Sequence, residues 1–231
     1  MSSPSRQRNT RKIAAIAAGA LVVGLGATYT LASWNDSEWV WGGAAGNGPG
    51  VGTETFEVLQ NTTNAYVDAP ANWVNRETKP GDPLRFSLGA LSLTPGDQIF
   101  APVALRSDED SLAATVQLSS AEKVTTTPAT VDAGDLLWSA VLADVYTATG
   151  AAAPSACTPA AFSATGWTQI VTNQPLSAAA AATGTQGLDA NGESTQHYCF
   201  VLELPAGSPD TLQGRTIAPA WKFDSVSVAT P

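Results

Sequence analysis

The chain has 231 residues, a formal net charge of −9, two cysteines and one histidine. So acidic a balance argues against nucleic acid and anionic membrane surfaces as partners, and favours solubility outside the cell. Abundant Ala, Thr, Gly, Ser and Pro with few Lys is a compositional habit of secreted proteins and carries no chemistry of its own.

The N-terminus opens with Arg6, Arg8, Arg11 and Lys12 and no acidic residue, followed by an apolar run from Ile13 to Leu25. A basic patch before a short greasy segment is the pattern of a secretory signal helix. Thr30 and Ala32 supply small residues at −3 and −1, which places cleavage before Ser33. The alternative is an uncleaved anchor, since Ile13 to Ala32 is about 20 residues, the span of a bilayer core. Membrane contact is expected only through that uncleaved segment. Losing the four basic residues with the leader takes the formal charge from −9 to −13. No lipobox cysteine follows the apolar run and no sorting signal is read at the other end. The expectation is a released, extracellular or surface-associated protein.

Three segments follow: a signal peptide over 1–32, an arm and linker over 33–52, and a β-sandwich domain over 53–231. The arm holds Trp34, Trp39 and Trp41 ahead of a glycine run from Gly42 to Gly50. The glycines suit a flexible tether. The tryptophans need an apolar surface, on their own domain or on a partner. As an extended strand the arm puts Trp39 and Trp41 on one face and Trp34 on the other.

From Thr53 the apolar period is two, the signature of half-buried antiparallel strands. Phe56 with Val58 opens the series. Leu84, Phe86 and Leu88 continue it, then Ile99, Ala101, Val103 and Leu105, and then Leu112, Ala114, Val116 and Leu118. Tyr198, Phe200, Leu202 and Leu204 form another face, as do Ile217, Pro219, Trp221 and Phe223. Pro102 and Pro219 assign their segments to edges or bulges, because proline cannot donate to a ladder. Thr94-Pro95-Gly96-Asp97 has the residues of a type II turn, and Asn191-Gly192 and Ala206 to Asp210 are further breaks. Leu136 to Tyr146 suits a short helix or a strand, and its β-branched content favours the strand. The segments 147–166 and 177–191 read as loops, with room for one helical turn at 178–182. Short strands, Gly/Pro turns and no sustained helical pattern predict an all-β fold, an antiparallel β-sandwich of jelly-roll type.

Cys157 and Cys199 form an isolated even pair in an exported chain, which predicts one structural disulfide. Closing that loop removes roughly 4 kcal/mol of unfolded-chain entropy. His197 alone cannot supply a zinc cluster or a catalytic triad, and no Gly-x-Ser-x-Gly elbow accompanies it. Asp108-Glu109-Asp110 lacks the Gly-containing spacing of a calcium loop and reads as a solvated turn. Trp73, Trp138, Trp167 and Trp221 read as core or half-core residues, although aromatic side chains leave carbohydrate stacking open. No cofactor and no enzymatic activity are expected.

The junction Thr30-x-Ala32 followed by Trp34, Asn35 and Asp36 resembles that of proteins processed by the SipW-type signal peptidase, the TasA and camelysin family. The turn Leu93 to Asp97, two cysteines in the second half, and Trp221 with Phe223 fit the actinobacterial branch. The resemblance implies a cell-surface or biofilm-matrix protein, with that peptidase as partner and self-assembly into fibres through donor-strand addition by the arm. Some camelysin relatives are described as metal-dependent proteases, so a secreted metalloprotease is one alternative. A carbohydrate-binding surface module is the other.

Overall fold

The computed structural model describes residues 53–87, 89–126, 128–150, 156–162, 166–178, 182 and 184–228. The expected signal helix, the cleavage residues Thr30, Ala32 and Ser33, and the arm tryptophans Trp34, Trp39 and Trp41 lie outside the described residues. The described part belongs to one unit, Thr53–Pro231, and is all-β with antiparallel ladders.

Five strands make the larger sheet. They are β1 (Val58–Asn61), β2 (Gln98–Ser107), β5 (Leu142–Thr149), β6 (Thr168–Pro175) and β8 (Gln196–Glu203), in the order β1-β2-β8-β5-β6. A smaller sheet has the order β10-β3-β7, from β3 (Ala113–Leu118), β7 (Gln186–Leu188) and β10 (Phe223–Val228). A two-stranded ladder pairs β4 (Glu122–Lys123) with β9 (Pro219–Ala220).

The period-two pattern explains how the sheets meet. Val103 and Leu105 of β2 and Tyr198 and Phe200 of β8 share one buried cluster with Ala114, Val116 and Leu118 of β3 and Leu188 of β7. Alternation turns these side chains to one face of each sheet, and burying that face is what holds the sheets together. Phe223 of β10 closes the seam, its ring 4.8 Å from that of Tyr198.

Strand β8 departs from the half-buried expectation. Every residue from Gln196 to Leu202 is buried. Its position at the centre of five strands is the reason, together with cover on the outer face. There the ring of Tyr66 meets His197 at 4.6 Å. Phe162, from the connection between β5 and β6, stacks on Tyr146 at 3.8 Å.

Other expectations need correction. Leu136–Ala140 is a short helix, α1, and the strand starts only at Leu142. Asp132 decides this, because its carboxylate accepts the N–H groups of Leu137 and Trp138, each at 2.9 Å. That local bonding satisfies amides a strand would have to pair elsewhere. Residues 84–87 form no ladder, although Leu84 and Phe86 still pack on the core. Paired strand also begins later than Phe56, which is exposed, and Thr55 makes only a single bridge to Ser111. Strand β6 went unpredicted and β7 lies in a segment read as loop. β6 is mostly Thr, Gln and Asn and β7 is Gln-Gly-Leu, and only Ile170, Val171 and Leu188 reach the core. A 3-10 turn lies at Leu176–Ala178, and most of the helical turn expected at 178–182 falls outside the described residues.

Pro102 marks neither an edge strand nor a bulge, since β2 lies between β1 and β8 and keeps its register through Pro102, yet it costs the ladder nothing. Ser87 bonds both peptide groups of Phe100 on the side away from β8. Peptide groups alternate sides along a strand, so the missing N–H of Pro102 faces that same side. Strand β1 ends there, with Asn61 opposite Ala104, so no bond is lost. Pro219 sits in the two-residue ladder with β4. The predicted turn at Thr94–Asp97 also forms, with Asp97 N–H bonding Thr94 carbonyl at 2.9 Å and Gly96 at φ +96°.

Candidate functional site

A sheet presents unpaired peptide groups at its edges, and natural domains blunt them with short strands, bulges, prolines or cover. Three of the four edges of the five- and three-stranded sheets are treated in that way. Strand β1 is covered at Gln60, which exchanges both peptide bonds with Val74. Strand β6 is bulged against β5, carries Asn173 at φ +44° and ends in Pro175. Strand β7 is three residues long with Gly187 at its centre.

Strand β10 is different. It pairs with β3 over six residues. Ser119 N–H bonds the carbonyl of Lys222 at 2.9 Å, which sets the phase of the ladder. Residues 224, 226 and 228 therefore exchange bonds with β3, while Phe223, Ser225 and Ser227 turn their peptide groups outward. No partner for those outward groups occurs among the described residues. Phe223 is inward, so Asp224, Val226 and Val228 lie on the outer face, where Val226 is 64% and Val228 42% exposed.

Charge guards only the start of this edge. Lys222 and Asp224 form an ion pair, and Asp224 also takes the Ser119 hydroxyl at 2.6 Å. The Lys222 ammonium and then the Ser119 hydroxyl hold the Asp224 carboxyl below its ordinary pKa. From Ser225 to Val228 there is no charge at all. Such a segment can template an added strand, with backbone bonds supplying affinity and the valine face supplying selectivity.

The residues that the sequence singles out lie elsewhere, Cys199 and His197 on the larger sheet. Cys157 and Cys199 are joined by a disulfide across a separation of 42 residues. Cys199 is wholly buried in β8, so the bond ties the β5–β6 connection to the central strand. His197 is buried, with its Nε2 3.0 Å from the Gly150 carbonyl. Burial pushes its pKa down, and the Gly150 carbonyl and Asp68 offset this only in part. Asp108 and Glu109 make a tight turn in which Glu109 N–H bonds Asp108 Oδ1 at 2.8 Å. Among the described residues no group of three His, Cys, Asp or Glu is placed to hold a metal ion. Trp73 and Trp138 are buried, and Trp167 and Trp221 are partly buried.

His197 gives a test of this packing. Its folded-state pKa lies below the unfolded value of about 6.5, so the unfolded chain takes up the proton first. Stability is then complete above that pH and declines as pH falls from there toward the folded-state pKa. Urea unfolding at stepped pH should show this limb in the native chain. It should be missing in H197Q, whatever that variant's absolute stability; an identical limb in both would assign it to other groups.

The edge of β10 was not singled out in the sequence, although Val226-Ser227-Val228 alternates like a strand. Alternation shows that a strand exists and says nothing about which of its sides is left unpaired. Among the described residues no helix is long and apolar enough to cross a membrane. No family model matches this chain, and no curated protein matches it.

Proposed function

We propose that this chain is a secreted cell-surface or extracellular-matrix structural protein that assembles by donor-strand addition, without enzymatic activity. On this reading a SipW-type peptidase removes residues 1–32. The freed arm Ser33–Trp41 then adds as a strand to β10 of another copy, reaching across on its glycine tether. The open edge of β10 is the observation that carries the proposal, since strand addition needs unpaired peptide groups and a flat, uncharged segment. The disulfide supports export, because such bonds persist in oxidising compartments. The chain passes between the two large sheets from β2 to β3, from β6 to β7 and from β7 to β8, which supports reading the sandwich as jelly-roll type.

The edge can be tested without disturbing the fold. The N–H of Ser225 faces away from β3, so S225P removes an outward donor while leaving the ladder intact. The chain beginning at Ser33 should form oligomers or fibres by light scattering. S225P, and separately deletion of 33–41, should raise the concentration needed for assembly by about tenfold or more. A chain beginning at Ser33 that stays strictly monomeric overturns the proposal, and so does assembly that S225P leaves unchanged.

A further inference from the structure

A strand edge that can accept a foreign strand can also accept its own copy, and β10 has the composition for it. Its two ends differ in kind. Lys222 and Asp224 pair with each other at the start, whereas Ser225, Val226, Ser227 and Val228 carry only hydroxyl and methyl groups. The outward peptide groups of Ser225 and Ser227 flank Val226, the more exposed of the two valines.

We propose that two copies of this chain pair through β10, antiparallel about a two-fold axis at Val226, and that this dimer withholds the edge from the arm. The inference rests on reading β10 as an open edge, as the donor-strand proposal does, and names a second occupant that competes with the arm. An antiparallel pair of identical strands is self-complementary, as a closed two-fold interface requires. With Val226 opposite its own counterpart, Ser225 of each copy exchanges backbone bonds with Ser227 of the other. The two Val226 side chains then meet on the outer face, where each is 64% exposed in the single chain.

Charge selects this register from its neighbours. Sliding both strands one step toward their starts sets Asp224 opposite Val226 and brings the two Asp224 residues to about 8 Å. A further step sets Asp224 directly opposite Asp224, and like charges so placed destabilise a strand pair. In the register centred on Val226 the two Asp224 residues stand about 13 Å apart along the strands, with an uncharged centre between them. An edge bonded to a second β10 has no free peptide groups there, so the dimer must part before the arm can add.

Cysteine cross-linking of the chain beginning at Ser33 reads the register directly. A non-hydrogen-bonded antiparallel pair sets its Cα atoms about 4.5 Å apart, within the range that a disulfide spans. The two native cysteines are already joined to each other, so the introduced thiol has only its counterpart to meet. Under mild air oxidation V226C should give a covalent dimer about tenfold faster than V228C, whose two copies stand about 13 Å apart in this register. The cross-linked dimer should not grow fibres, whereas V226C kept unoxidised should. Sedimentation velocity supplies a reading without the arm. With 33–41 deleted, the chain should dimerise and stop at two copies. In that background V226K should weaken the dimer about tenfold, because two ammonium groups then face each other at the axis. Val226 is exposed, so V226K should stay folded, which circular dichroism checks. Equal cross-linking of V226C and V228C, a strictly monomeric deletion variant, or fibres grown from the cross-linked dimer overturns the inference. Fibres without the dimer leave the donor-strand reading standing, and a dimer without fibres removes that reading alone, so the two failures are distinct.

Discussion

Phe200→Ala should lower unfolding free energy by about 3–5 kcal/mol in urea titrations, the range for emptying a buried aromatic site. Phe200 is wholly buried in the middle strand of the larger sheet. Its ring lies 4.7 Å from Trp221 and 6.3 Å from Phe223, both on the far side of the seam. Phe223 cannot collapse freely into the gap, because it is held in the β10 ladder opposite Leu118. A domain with about 5–15 kcal/mol in total would lose a large share of its stability. Phe200→Leu, which keeps most of the volume, should cost less than half as much. A loss under about 1 kcal/mol for the alanine variant would mean that the two sheets do not depend on this contact.

Removing the disulfide should come next in size. Cys157→Ser opens a loop of 42 residues in separation, and the unfolded chain regains entropy equivalent to roughly 4 kcal/mol. The substitution belongs at Cys157, which is partly exposed, because a serine at the wholly buried Cys199 would add an unpaired hydroxyl. The same change should loosen Phe162 from Tyr146, since the bond anchors that connection over the outer face. Binding of a hydrophobic dye with the strand signal retained would report this local opening. Equal stability of the reduced and oxidised chains would show that packing alone holds the connection in place.

How far the site was legible depends on the kind of information each residue carries. The faces of β2, β3 and β8 follow from alternation, and Val103, Val116 and Phe200 are buried where the pattern puts them. The turn at Thr94–Asp97 is legible because Pro and Gly each restrict φ locally. For Leu136–Ala140 the sequence leaves helix and strand both open and favours the strand, because the contact that decides for helix comes from Asp132, a side chain upstream of the ambiguous stretch. Strands β6 and β7 were missed because so few of their residues are apolar, and neighbouring strands supply the pairing that the composition does not suggest.

The sequence by itself determined the all-β class, the inward residues of the main strands and the partner of each cysteine. Period-two patterning and an isolated even pair of cysteines act through covalent order and local sterics, without reference to distant chain. Only the tertiary structure decided that β8 is buried on both faces and that β10, among the described residues, keeps one side unpaired. Each of these depends on which segments lie side by side, and strand order is a global arrangement of hydrogen-bonded neighbours. A strand at the centre of a sheet and one at its edge satisfy the same local backbone chemistry, so only the assembled fold distinguishes them.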